Sequence, residues 1–228
     1  MVFSEMLADI KVARTEELVF AGDGVRLAGQ IDYPLVSSRQ TTFPLLFILH
    51  NASCNDRDGY RHFADAGLDA GYAVFRWDKR GTGRSGAGGR GSTTQDAVNA
   101  YEIALEQPGI DRKHVIILAQ GAGTGLLATS FGLFARVQHP YGVVLARNML
   151  DERDVLAIDS RLLVLMGQND WNPWQQYGKA VCEVHNKMYR HGAQYYVAPY
   201  ADAMLIDPRT EKFHYGTNNT LQDWLRTV

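Results

Sequence analysis

Val115-Ile116-Ile117-Leu118-Ala119-Gln120-Gly121-Ala122-Gly123-Thr124-Gly125 is the stretch that decides how this chain folds. Val115 to Ala119 is an unbroken apolar run. Without alternation of polar and apolar residues, such a run reads as a strand covered on both faces, as in a parallel sheet. Gly121 and Gly123 then permit a tight turn, and Gly123 to Ala135 continues with helical spacing. A buried strand that turns sharply into a helix is half of a parallel crossover unit.

The same alternation extends in both directions. Upstream, Glu17 to Phe20 and Val25 to Tyr33 flank Ala21-Gly22-Asp23-Gly24, which reads as an antiparallel hairpin. Met1 to Thr15 before it is mixed in pattern and reads as a short helix or a lead-in. After the polar Ser37 to Thr42 loop, Pro44 to His50 is a second buried strand. Tyr60 to Ala70 is a helix with Gly71 as its cap, and Tyr72 to Trp77 a strand that opens into the glycine-rich loop Gly81 to Gly91. Thr94 to Leu105 is a helix closed by Pro108-Gly109. Downstream, Tyr141 to Ala146, Leu162 to Met166 and Gln194 to Val197 read as strands, with helices at Trp174 to Arg190 and around Leu221 to Leu225. The fold class expected is α/β, a doubly wound, mostly parallel sheet of about eight strands with an N-terminal antiparallel hairpin. Residues 1–228 carry no linker or repeat, so a single domain is expected.

Composition narrows the function classes. The chain has 228 residues, 46% apolar and 21% charged, enough to bury a core without staples. A net charge of -2 gives no field that would favour nucleic acid or an anionic membrane, and neither is expected as a partner. Apolar runs fall far short of the roughly 20 residues of a membrane span. The opening Met1-Val2-Phe3-Ser4-Glu5 has neither a basic nor an apolar region, so no secretion is expected. Cys54 and Cys182 are too few for a disulfide framework and suit a reducing cytoplasm. His62, His114, His139, His185 and His191 do not fall at metal-ligand spacing, so no metal is expected.

Three further stretches carry a resemblance. His50-Asn51-Ala52-Ser53-Cys54-Asn55-Asp56-Arg57-Asp58-Gly59 follows the second buried strand. Phe75-Arg76-Trp77-Asp78-Lys79-Arg80-Gly81-Thr82-Gly83-Arg84-Ser85-Gly86 contains Asp-x-Arg-Gly-x-Gly-x-Ser, and Leu165-Met166-Gly167-Gln168-Asn169-Asp170 contains Gly-x-x-Asp. In order and spacing the chain resembles the α/β-hydrolase superfamily from about Glu17 onward, and looks most like its serine-aminopeptidase and acylglycerol-lipase-like members. The resemblance implies that the first stretch is the loop usually opened by His-Gly, and that Asp170 is the acid of a Ser-His-Asp triad. It also implies that Arg147 to Arg161 is where relatives insert a lid; here the interval has room for little more than one helix.

The two other triad positions depart from that pattern. The family's nucleophile stands in Gly-x-Ser-x-Gly at a strained elbow between strand and helix. This chain reads Ala119-Gln120-Gly121-Ala122-Gly123, so Gly121 occupies the nucleophile position and has no atom that could attack a carbonyl. The histidine is expected a few residues after the last strand, where Pro199-Tyr200-Ala201-Asp202-Ala203 places Ala203. An acid whose task is to orient an imidazole has little to do without one. His50, Asn51, Ala52, Ala122 and Trp171 are the residues expected to line the oxyanion and pocket region.

The residues admit other readings. Moving the nucleophile to Thr124 places it in the first turn of the helix, and Ser130 lies further along still. Gly121-Ala122-Gly123-Thr124-Gly125 fails the dinucleotide fingerprint because Leu126 stands at its last position, so no cofactor is expected. His214, beside the polar run Gly216 to Thr220, reads as a surface residue and not a displaced base. Cys54 near His50 could form an activated thiol, or be an ordinary small residue. Asp78 and Arg80 read as organisers of their own loop, and Trp174 reads equally as core or cleft. The leading expectation is a pseudoenzyme that keeps a small-molecule-binding or regulatory cleft. The alternatives are an enzyme with a non-standard site built from His50, Cys54, Asp78 or Asp170, and a protein-interaction module.

Overall fold

The structure, a computed structural model, describes residues 11–36, 40–50, 56–170 and 177–228. Eight strands form a sheet in the order β1-β2-β4-β3-β5-β6-β7-β8, and a short hairpin, β9 with β10, stands apart from it. The chain divides into two compact units, one holding residues up to Phe47 together with Asn55–His114, the other Ile48–Cys54 and Val115–Val228.

In the first unit β1 (Val12–Ala21) and β2 (Arg26–Pro34) form the expected hairpin, in register from Arg14 opposite Tyr33 to Ala21 opposite Arg26. Strand β1 therefore begins earlier than its sequence suggests. Its consecutive exposed residues Ala13, Arg14 and Thr15 break the alternation that a strand covered on one face would show. Strand β2 runs antiparallel to β4 (Ala73–Asp78), whereas β4 pairs in parallel with β3 (Phe43–Leu49). Leu45 to Ile48 and Ala73 to Phe75 are wholly buried, which is why these runs carry no polar alternation. Helix α1 (Arg61–Asp69) ends at Gly71, whose φ of 89° lets Tyr72 N–H reach the Gly67 carbonyl and Gly71 N–H that of Leu68. Helix α2 (Thr93–Leu105) is capped by the Ser92 hydroxyl, which accepts from Gln95 N–H.

The glycine-rich loop after β4 is organised by Asp78. One carboxylate oxygen accepts from Arg57 N–H and the other from Arg84 N–H, both at 2.9 Å. Gly83, at φ 48°, lies so close that a Cβ there would fall 2.4 Å from the Asp78 carboxyl carbon. Arg80 forks onto Asp96 with bonds of 2.6 and 2.9 Å. Both oxygens of Asp78 thus hold backbone, as the loop-organising reading expects.

In the second unit the end of β5 (Ile110–Gln120), β6 (Gly142–Ala146), β7 (Arg161–Gly167) and β8 (Ala193–Ala198) pair in parallel. Their register sets Gln120 beside Ala146, Ala146 beside Leu165 and Leu165 beside Tyr196, so the strands finish level with one another. Helix α3 (Ala122–Val137) follows β5, α4 (Tyr177–Met188) precedes β8, and α5 (Tyr215–Thr227) closes the chain. Helix α5 packs tightly on β6, where a Cβ on Gly142 would meet the Trp224 ring at 2.8 Å. The polar run Gly216 to Thr220 belongs to the first turns of α5, a helix whose stability comes from packing and not from propensity alone. Between β6 and β7 stands one 3-10 turn, Asp154–Ala157, started by Asp151, whose carboxylate accepts from Arg153 and Asp154 N–H. The lid is therefore minimal. The hairpin β9 (Ile206–Asp207) and β10 (Lys212–Phe213) has no counterpart in the sequence reading, because two-residue strands leave no periodicity to see. Among the described residues no helix is long and apolar enough to cross a membrane.

Candidate functional site

Strand β5 ends at Gln120 and α3 begins at Ala122, so Gly121 alone makes the turn. Its φ of 55° and ψ of -122° lie where only glycine is comfortable. The turn is held on every side. Gly121 N–H donates to the Ala146 carbonyl at 2.9 Å, and the Thr124 hydroxyl donates to the Gly121 carbonyl at 2.7 Å. Thr124 Oγ1 in turn accepts from Met149 N–H, which fastens the loop after β6 against the first turn of α3. Thr124 is fully buried in that bridge, a structural task for the hydroxyl weighed as a shifted nucleophile. Gly123 is required by close approach, since a Cβ would stand 2.5 Å from the His50 carbonyl oxygen and 2.9 Å from that of Leu49. His50, itself buried, follows β3 and brings its carbonyl against Gly123.

The acid turn is built at the end of β7. Asp170 N–H donates to the Gly167 carbonyl at 3.2 Å, closing Gly167 to Asp170 into a turn. Gln168 N–H reaches Ala198 and Asn169 N–H reaches Ala201, tying this turn to the segment after β8. A Cβ on Gly167 would lie 2.1 Å from the Asp202 carbonyl, so only glycine admits that segment. Two residues on, Met204 Sδ accepts from Gln120 Nε2 at 3.0 Å. Ala203 is therefore bracketed: Asp202 rests on the acid turn and Met204 on the residue before Gly121.

Asp170 is not idle. Its carboxylate, with only 2% of the side chain exposed, accepts from Arg147 Nε at 3.3 Å. Arg147 is the first residue beyond β6 and takes a φ of 53°, unusual for a residue with a side chain. In the sequence Arg147 stands only at the start of the lid interval. A charged residue directly after a buried parallel strand stands at the end of the sheet where ligands bind, and that placement was the available signal. Met204 and Gln120 carried no such signal, since their contact depends on an irregular loop.

His214 is half-buried and caps α5, its Nδ1 accepting from Thr217 N–H. Ala122 opens α3 next to the elbow. Burial pushes the Cys182 thiol up to about 12, with Glu183 adding to it, so it stays protonated and unreactive. Asn51, Ala52, Cys54, Trp171 and Trp174 lie outside the described residues.

Solved structures share this fold. An esterase of Pyrococcus furiosus superposes with a TM-score of 0.69 at 13% identity, covering 94% of this chain and 92% of that one. A lidless α/β serine hydrolase of Xanthomonas campestris gives 0.69 at 16% identity, covering 94% and 95%. This is the α/β-hydrolase fold. The esterase domain of a Rhodothermus marinus protein gives 0.67 at 17% identity, covering 94% and 99%. No protein-family model matches the sequence, and no curated protein does either. At such identities the α/β-hydrolase likeness fixes the fold, and function has to be argued from the residues at the site.

Proposed function

We propose that this chain is a non-hydrolytic protein of the α/β-hydrolase fold, a pseudoenzyme that uses the carboxyl end of its sheet as a small-molecule-binding cleft. One observation carries the reading. Gly121 sits alone between β5 and α3 at φ 55°, the place and backbone conformation the fold reserves for its nucleophile, and it has no side chain. Acyl transfer through this position lacks the atom that would form the covalent bond. Ala203, bracketed between the acid turn and Gln120, offers no imidazole to move a proton. Asp170, which would orient that imidazole, is bonded to Arg147.

The turn geometry has outlived the chemistry it serves in hydrolases. Gly121 and Ala203 carry no bulky side chains, and in open α/β sheets ligands bind at the carboxyl ends of the strands. The reading is tested by release of nitrophenol from short p-nitrophenyl esters, with the purified chain compared to its Gly121→Ala form. Equal rates at the level of buffer are expected. A rate above buffer that falls in the Gly121→Ala form would show that the elbow carries catalysis and would end the reading.

A further inference from the structure

We infer that the first unit holds a small-molecule site of its own, one that takes a flat, neutral aromatic ligand. A cavity of about 460 Å³ opens where β1 begins, β2 ends and β3 begins, against the Pro108-Gly109 turn that leads into β5. The residues that line it all fall in the first unit, so the site is independent of the elbow. Ligand pockets run from about 300 to 1,000 Å³ and are walled mainly by apolar and aromatic side chains. Here the walls include Tyr33, Phe43, Pro34, Val36 and Pro108, with the charged Arg14 among them.

The aromatic wall is fixed by bonds within the chain. The Tyr33 hydroxyl donates to the Pro108 carbonyl at 2.8 Å, and Phe43 N–H donates to the Gly109 carbonyl at 2.7 Å. The two rings meet edge to face with centroids 5.7 Å apart. Gly109 takes a φ of 77°, and a Cβ there would stand 2.8 Å from the Thr41 carbonyl oxygen, so the turn closes tightly on the start of β3. A wall already held in place loses little freedom when a ligand arrives.

Arg14 sets the class of ligand. Its guanidinium carbon lies 3.9 Å from the Tyr33 ring centroid, so one face of the group is stacked on the phenol. Its Nε pairs with the Glu16 carboxylate at 3.1 Å, which balances the charge and removes the incentive for an anion. That pairing engages the edge of the guanidinium and leaves its faces uncovered. The side chain is 50% exposed and borders the cavity, so the face turned away from Tyr33 is the surface offered to a ligand. An aromatic ring attracts a guanidinium face-on and leaves the bond to Glu16 intact. A saturated ring of the same size fills the cavity without that attraction.

The neutral compound 2-naphthol and its saturated counterpart decahydro-2-naphthol are titrated into the full chain while the backbone signals of Phe43 and Gly109 are followed by NMR. The Gly121 signal reports any binding at the elbow. Saturable shifts at Phe43 and Gly109 are expected, with 2-naphthol tighter by about two- to fivefold, the scale of one exposed cation–π contact. Arg14→Met keeps an apolar side chain of similar reach and is expected to bind the two compounds equally. Ala13→Trp sets a bulky ring at the border of the cavity and is expected to bind neither. Absence of saturable shifts in the unaltered chain would overturn the inference. Equal affinity for the two compounds, or shifts confined to Gly121, would do so too, as would undiminished binding by folded Ala13→Trp. The comparison in the unaltered chain decides the matter even where a variant fails to fold.

Discussion

Asp170 Oδ2 accepts a 3.3 Å hydrogen bond from Arg147 Nε, so the acid at the end of β7 is neutralised by the residue that follows β6. A carboxylate this deeply buried is costly unless it is paired and hydrogen-bonded. In a triad the partner is a histidine. Here it is the guanidinium of Arg147.

Breaking that pair should expose the cost. Arg147→Met is expected to lower stability by about 1–3 kcal/mol, because a buried carboxylate loses its counter-charge. Methionine is chosen since, like arginine, it keeps a Cβ at φ 53°, leaving the backbone strain unchanged. Adding Asp170→Asn should then recover part of the loss, with a coupling of about 1 kcal/mol in a double-mutant cycle read by urea denaturation. Strict additivity would mean that the bond contributes nothing.

The elbow makes a separate prediction. Gly121→Ser places a Cβ at φ 55° and should destabilise the chain by roughly 1–2 kcal/mol, the usual scale of one such strained residue. It should not restore hydrolysis, because Ala203 supplies no base. Unchanged or higher stability in denaturant would show that the turn accommodates a side chain without strain.

Two glycines of α3 should respond with opposite signs. Gly123→Ala drives a methyl group toward the carbonyls of His50 and Leu49, backbone atoms that cannot swing aside, and should cost about 1–3 kcal/mol. Gly132→Ala meets nothing within 4 Å and should gain about 0.5–1 kcal/mol through helix propensity. Thermal melts of the two variants distinguish the cases directly.

His185 links stability to pH. Burial holds its imidazole below the ordinary value of 6.5; the bond to the Ile158 carbonyl and Asp159 oppose this, while His191 adds to it. The folded chain therefore binds a proton at His185 less readily than the unfolded chain does. Its contribution is full above pH 6.5 and is lost as pH falls through the lower folded value. The denaturation midpoint of the unaltered chain should thus fall more than that of His185→Gln between pH 7.5 and about 5.5. Parallel profiles would mean that the ring titrates alike in both states.

Much of the sheet could be read from the chain because parallel strands buried on both faces, such as Leu45 to Ile48 and Val115 to Leu118, must be continuously apolar. Glycines announced the turns for the same physical reason, and both Gly71 and Gly121 do take positive φ. What stayed hidden depends on contacts between distant segments. The pairing of Arg147 with Asp170 spans strands β6 and β7, and nothing near either residue in sequence encodes it. The start of β1, the length of α5 and the hairpin β9–β10 were hidden too, because their stability comes from packing and not from local pattern.

The proposal of a non-hydrolytic chain stands on Gly121 at the β5–α3 turn. Incubation with a fluorophosphonate probe, followed by intact mass and peptide mapping, tests it most directly. No adduct is expected on any residue of the β5–α3 turn. Stoichiometric labelling mapped to that turn, or to Thr124 at the start of α3, would contradict it.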